Sequence, residues 1–281
     1  GDWSSDVCSS DLEVVQRAVW QPVWRCDWQP IDVKRMEQTL RRSWPGPALK
    51  PADADRAKWV WGDRREWSWG EASPTSLQFD QRNWPLTDWN AYNAWRRSLE
   101  FPISDVRMMG AFDAKDTARF GASVQLVTRG VRIEAGVRQG EAFATVTPID
   151  APDAKPLASA SARLGGASGT LALDIWHVDQ QVWVFVNGER AVLLPYELQA
   201  DGTSPSERLR AAGVDLSRYL QDPVANKPRP PETLAWKFEG SPFTARNLRV
   251  DRDLYYQPGT PQAGNQVASN GPLLFGKAFA C

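Results

Sequence analysis

The stretch Asp179-Gln180-Gln181-Val182-Trp183-Val184-Phe185-Val186-Asn187-Gly188-Glu189-Arg190-Ala191-Val192 decides the fold class. Residues 181–186 and 189–194 are two runs rich in β-branched, aromatic and aliphatic residues. Asn-Gly between two such runs is the strongest short-range hairpin signal, because both central positions of that turn need positive φ. The same texture extends to either side. Val131, Ile133, Ala135 and Val137 alternate with Arg132, Glu134, Gly136 and Arg138, the pattern of a strand with one buried and one wetted face. Ala122, Val124 and Leu126 repeat it, as do Leu171, Leu173 and Ile175, and then Leu234, Trp236 and Phe238. Residues 243–256 close the series. Roughly nine short strands with frequent turn signals predict an all-β fold, an antiparallel β-sandwich.

The sequence before this series has a different character. Eleven of the fifteen tryptophans fall between Glu13 and Glu100: Trp20, Trp24, Trp28, Trp44, Trp59, Trp61, Trp67, Trp69, Trp84, Trp89 and Trp95. Prolines at 22, 30, 45, 47, 51, 74 and 85 exclude long helices there, although residues 32–42 can form a short one. Trp59 and Trp61, then Trp67 and Trp69, keep period-two spacing around Gly62-Asp63-Arg64-Arg65, which reads as a small hairpin with Trp on one face. The expected organisation is a Trp-rich irregular β segment over 13–100, a β-sandwich over 101–258 and a linker over 259–281. Residues 199–231 read as a long loop with one helical turn around 206–211.

Composition narrows the functional classes. The chain has 281 residues, 42% hydrophobic and 24% charged, with a formal net charge of -1. That balance gives no reason to expect nucleic acid or an acidic membrane surface as partner. One histidine, His177, and three cysteines, Cys8, Cys26 and Cys281, make a structural zinc site or a His-dependent triad hard to assemble. No catalytic, cofactor-binding or metal-ligating residue is therefore assigned, and no cofactor is expected. The longest apolar runs, 182–186 and 191–194, fall far short of a membrane-spanning helix.

Three groups remain as candidates. The tryptophans can stack on sugar rings, with Trp89 and Trp183 as the residues to test, or they can be core, and packing is weighed above ligand stacking. Asp251 and Asp253 lie two apart on one predicted strand face and could hold calcium or act as paired carboxylates, but a solvated strand end paired to Arg249 and Arg252 is the simpler expectation. His177 reads as a hydrogen-bonded turn residue at a strand end.

Residues 1–12, GDWSSDVCSSDL, resemble the translation of a sequencing adapter and are set aside from the fold. Without Asp2, Asp6 and Asp11, 31 acidic residues (34 minus 3) stand against 33 basic ones, a charge of +2. The order of the remaining motifs resembles the long insertion of certain bacterial type I signal peptidases. PVWRCDWQP at 22–30 leads to DWNAYN at 88–93, then ISDVRM at 103–108. DQQVWVFVNGERAV at 179–192 is similar to a hairpin of laminin-G and concanavalin-like jelly rolls. ARNLRVDRDLYYQP at 245–258 closes the series.

The resemblance covers about residues 14–279. It implies a serine/lysine peptidase parent on the outer face of the cytoplasmic membrane that cleaves preproteins, with this chain as a noncatalytic piece of it. The catalytic segments would lie before Glu13 and after Cys281. Gly62–Ser68 superficially resembles the GDNxxxSxDSR box of that family, but Arg64 replaces the Asn and the trailing Asp-Ser-Arg is absent. The competing expectation is a carbohydrate-recognition or interaction module on the same sandwich. A sandwich glycoside hydrolase would need a Glu-x-Asp-x-x-Glu strand, which does not occur.

Overall fold

A computed structural model describes residues 9–86, except 29, 31, 42 and 63–65, and residues 103–253, except 166–168 and 214–232. In the flanking stretches, α1 spans Ser9–Val19. The strands then follow in chain order. β1 (Gln21–Arg25), β2 (Leu49–Pro51), β3 (Trp59–Trp61), β4 (Trp67–Trp69) and β5 (Thr75–Phe79) come from the Trp-rich region. β6 (Val106–Ala114), β7 (Gly121–Thr128), β8 (Val131–Arg138), β9 (Glu141–Pro148) and β10 (Ala158–Arg163) follow. Last come β11 (Leu171–Val178), β12 (Gln181–Val186), β13 (Glu189–Pro195), β14 (Leu234–Glu239) and β15 (Phe243–Arg252). Among the described residues three short helices interrupt them: α2 (Val33–Leu40), capped by the Asp32 carboxylate, a 3-10 turn at Asp53–Asp55, and α3 (Pro205–Ala211), opened by a Ser204/Glu207 capping box.

These strands form two antiparallel sheets. One runs β13-β12-β11-β6-β15-β4-β3, with β1 also on β15; the other runs β10-β9-β8-β7-β14-β5-β2. The all-β sandwich expected from the alternation is what the chain forms. Fifteen strands among the described residues exceed the nine expected, because several in the Trp-rich region are too short to show a period. That region is hydrogen-bonded into both sheets: Thr75–Phe238 and Leu49–Phe79 pair in one, Phe243–Trp69 and Trp59–Trp69 in the other.

The inward faces meet in one aromatic-rich core. Phe112 of the first sheet lies 5.1 Å from Trp236 and 5.5 Å from Phe238 of the second, and Phe243 lies 4.4 Å from Phe238. Trp59, Trp67 and Trp69 join them, with Trp59–Trp69 centroids 5.4 Å apart. Each such ring removes about 150–250 Å² from water, so the tryptophans do the packing that long strands do elsewhere. Asn187 and Gly188 adopt φ of 52° and 88°, the primed turn that the sequence demands.

Contacts divide the chain at Pro22 and Arg252. Residues 22–252 form one compact unit, and the stretches flanking it on both sides group together as another. Within that other unit, Gln16 Nε2 donates to the Asp253 carboxylate at 3.0 Å.

Candidate functional site

Strand parity fixes which side chains the second sheet presents outward. The hydrophobic core takes Ala122, Val124, Leu126, Ile133, Ala135, Val137, Trp236, Phe238, Leu77 and Phe79. Their neighbours in sequence therefore face away. Register then aligns them in rows across the strands. One row is Phe143, Gly136, Ser123, Lys237 and Ser76; the next is Glu141, Arg138, Gly121 and Glu239. Gly136 and Ser123 in the first row and Gly121 in the second are small, so the face sinks there, and longer charged side chains stand around it.

The result is a depression of about 300 Å³, to which Asp55, Ser76, Ser123, Arg138, Lys237 and Glu239 bring polar side chains. Beside it, residue 136 must be glycine, because a Cβ there would sit 2.2 Å from the Ala122 carbonyl oxygen. Arg138 bridges two carboxylates, Nη2 to Glu134 at 2.9 Å and Nε to Glu239 at 2.6 Å, and lies over the Phe143 ring at 5.0 Å. Ser123 Oγ donates to Glu134 at 3.2 Å. Asp55 accepts from Thr75 Oγ1 at 2.8 Å, and Thr75 accepts from Trp59 Nε1 at 2.9 Å, so the core anchors this carboxylate. Lys237 makes no ion pair among the described residues.

The first sheet carries a second aromatic group on its outward parity. Trp176, Trp183 and Phe185 are 0–1% exposed, with Trp176–Phe185 centroids 4.7 Å apart. Arg190 stacks on Trp183 at 5.3 Å and Arg107 on Trp176 at 5.4 Å. Arg107 forks onto Asp174 at 2.6 and 2.8 Å, and Trp176 Nε1 donates to the same carboxylate. Trp183, a candidate sugar-stacking residue, is thus a packed side chain and cannot offer a ring face to solvent. Trp89 lies outside the described residues, as does 88–93 altogether. Among the described residues, the exposed tryptophan is Trp28, half exposed, with the Arg25 guanidinium 5.8 Å over its ring.

Asp251 is fully buried, bonded by Arg249 Nε at 2.5 Å, with Arg107 at 3.7 Å. Burial pushes its carboxyl above the usual range against the pull of Arg249 and Arg107. The ion pair with Arg249 is as expected, but burial overturns the solvated strand end expected for Asp251; Asp253 accepts from Gln16 Nε2 at 3.0 Å. No three acidic, histidine or cysteine side chains converge as a metal set among the described residues.

His177 corrects the sequence reading: it is a buried residue within β11, not a turn residue. Its ring spans the Ser104 carbonyl, 2.7 Å from Nδ1, and the Tyr196 hydroxyl, 2.7 Å from Nε2. A carbonyl only accepts, so Nδ1 carries the proton and Tyr196 donates to Nε2. Desolvation, with Arg129 adding to it, depresses the imidazole to about 4. No helix among the described residues is long and apolar enough to cross a membrane.

No known protein family matches the sequence, and no curated protein does. Solved structures resemble it distantly. The carbohydrate binding module CBM66 from Bacillus subtilis is 7% identical with a TM-score of 0.39, over 69% of this chain and 90% of that one. The CBM2 module of the evolved Dit of Lactobacillus casei BL23 phage J-1 is 6% identical with a TM-score of 0.42, over 85% and 98%. Alginate lyase A1-II', of polysaccharide lyase family 7, is 10% identical with a TM-score of 0.41, over 74% and 94%. Likeness at this level carries no argument about ligand or reaction, and the fold rests on the chain's own strand registers.

Proposed function

We propose that the chain is an accessory β-sandwich module that works by binding, with a carbohydrate held in the depression of the second sheet. The observation that carries this reading is the polar constellation there. Carboxylates of Asp55 and Glu239, the Lys237 ammonium and the Ser76 and Ser123 hydroxyls surround a depression of about 300 Å³. Sugar hydroxyls both donate and accept, so a mixed rim of this kind can meet several of them at once. Hydrogen bonds to charged groups are the stronger class, about 1.5–3 kcal/mol each in net terms. A glycan array probed with the full chain and with Lys237→Ala tests the reading. The expected result is binding by the full chain, weakened on the order of tenfold in the variant at unchanged melting temperature. Binding to no glycan overturns it.

A second reading concerns the host, and a separate observation favours it. The first and last strands of the 22–252 unit, β1 and β15, are hydrogen-bonded neighbours, with Cys26 N donating to the Leu248 carbonyl at 2.9 Å. Chain that enters and leaves a domain side by side can be inserted into another protein without disturbing it. The resemblance of 22–30, 179–192 and 245–258 supplies a candidate host, a type I signal peptidase that processes preproteins outside the cytoplasmic membrane. The coding frame on either side of this sequence tests it. An upstream membrane helix with a Ser-Met segment and a downstream GDN box are expected, and frames lacking both contradict it.

A further inference from the structure

We infer that the depression selects uncharged sugars and rejects acidic ones, an inference that rests on the carbohydrate reading above. The ionisable groups of the depression and its rim are Asp55, Glu134, Glu141, Glu239, Arg138 and Lys237, four carboxylates against two cations. Arg138, the group best suited to fork onto a uronate or sulfate, is already held between Glu134 and Glu239 at 2.9 and 2.6 Å. An acidic sugar that forks onto Arg138 must displace one of these partners, and one drawn to Lys237 instead meets the Asp55 and Glu239 carboxylates that line the same depression. A neutral hydroxyl displaces nothing. It can donate to the carboxylate oxygens that Arg138 and Thr75 leave open, and accept from Lys237, which has no ion-pair partner among the described residues.

Glu239 is the specificity determinant in this arrangement. It packs across Gly121 so closely that a Cβ on residue 121 would lie 3.0 Å from Glu239 Cγ and 3.2 Å from Oε1. The absence of a side chain at 121 thus lets the carboxylate reach Arg138. Removing the charge of Glu239 leaves Arg138 half-neutralised and tips the rim from a net -2 to a net -1, with a guanidinium edge free for an anion.

Affinity electrophoresis of the full chain through gels containing neutral glucan, mannan or xylan, polygalacturonate, or a sulfated galactan separates the outcomes. Retardation by a neutral polymer and none by the acidic ones is expected, changing little between low and moderate salt. Glu239→Gln is expected to lower the preference for neutral over uronate polymer on the order of tenfold. Asp55→Asn is a second variant with the same expected direction if the first does not fold. Retardation by the acidic polymers equal to or stronger than by the neutral ones overturns the inference and leaves the carbohydrate reading standing. Retardation by none overturns both.

Discussion

Burial without an anionic partner in hydrogen-bonding range keeps His177 neutral, and this has a consequence for stability. Its folded pKa of about 4 lies below the ordinary 6.5. Between these values the unfolded chain binds a proton that the folded chain does not, so stability is complete above pH 6.5 and is lost as pH falls toward 4. The loss is about 3 kcal/mol from this residue alone. Urea unfolding at pH 7 and at pH 4.5 is expected to show that step in the natural chain and a smaller one in His177→Gln. Equal steps would contradict the assignment. At Trp236, fully buried between the sheets, substitution by Ala is expected to cost about 3–5 kcal/mol by the same assay. The tryptophans were legible as packing residues because a chain of short strands needs large side chains to make a core. His177 was misplaced because its partners, Ser104 and Tyr196, are 73 and 19 residues away.

Among the elements, the turn of the β12–β13 hairpin was legible to the residue, because Asn-Gly dictates it locally, whereas the register shift between Val184 and Phe185 was not. Gly188→Ala is expected to destabilise by about 1 kcal/mol or more, since φ of 88° strains any residue with a Cβ. A loss too small to measure would mean that the turn relaxes. Helix α3 was also expected in place, but its anchor was not. Arg208 is 1% exposed, paired with Asp201 and lying 3.6 Å from Asp150 across the loop after β9. Arg208→Ala is expected to cost about 1–3 kcal/mol through the lost packing of a side chain that is itself buried. It should also release the Asp201 carboxyl, which the Arg208 hydrogen bond now holds at about 2, toward its ordinary value in an NMR titration. β2, β3 and β4 span three residues each, less than two full alternations, and only the Trp pairs marked β3 and β4 in advance.

At the scale of the whole molecule, the two-sheet sandwich followed from alternation, whereas the candidate site did not. Ser76, Ser123, Arg138, Lys237 and Glu239 each sit on the solvent parity of a different or distant stretch of strand, and any one of them reads as an ordinary wet position. Only the cross-strand register, a nonlocal property, brings them into adjacent rows. The same register sets β1 beside β15. The central claim is that this module binds sugar at the second sheet. Amide chemical-shift mapping of the full chain with a neutral oligosaccharide tests it most directly. Shifts confined to the amides of Gly121, Ser123, Gly136, Lys237 and their neighbours are the predicted result; shifts centred on Trp28 or on the first sheet, or none at saturating sugar, would contradict it.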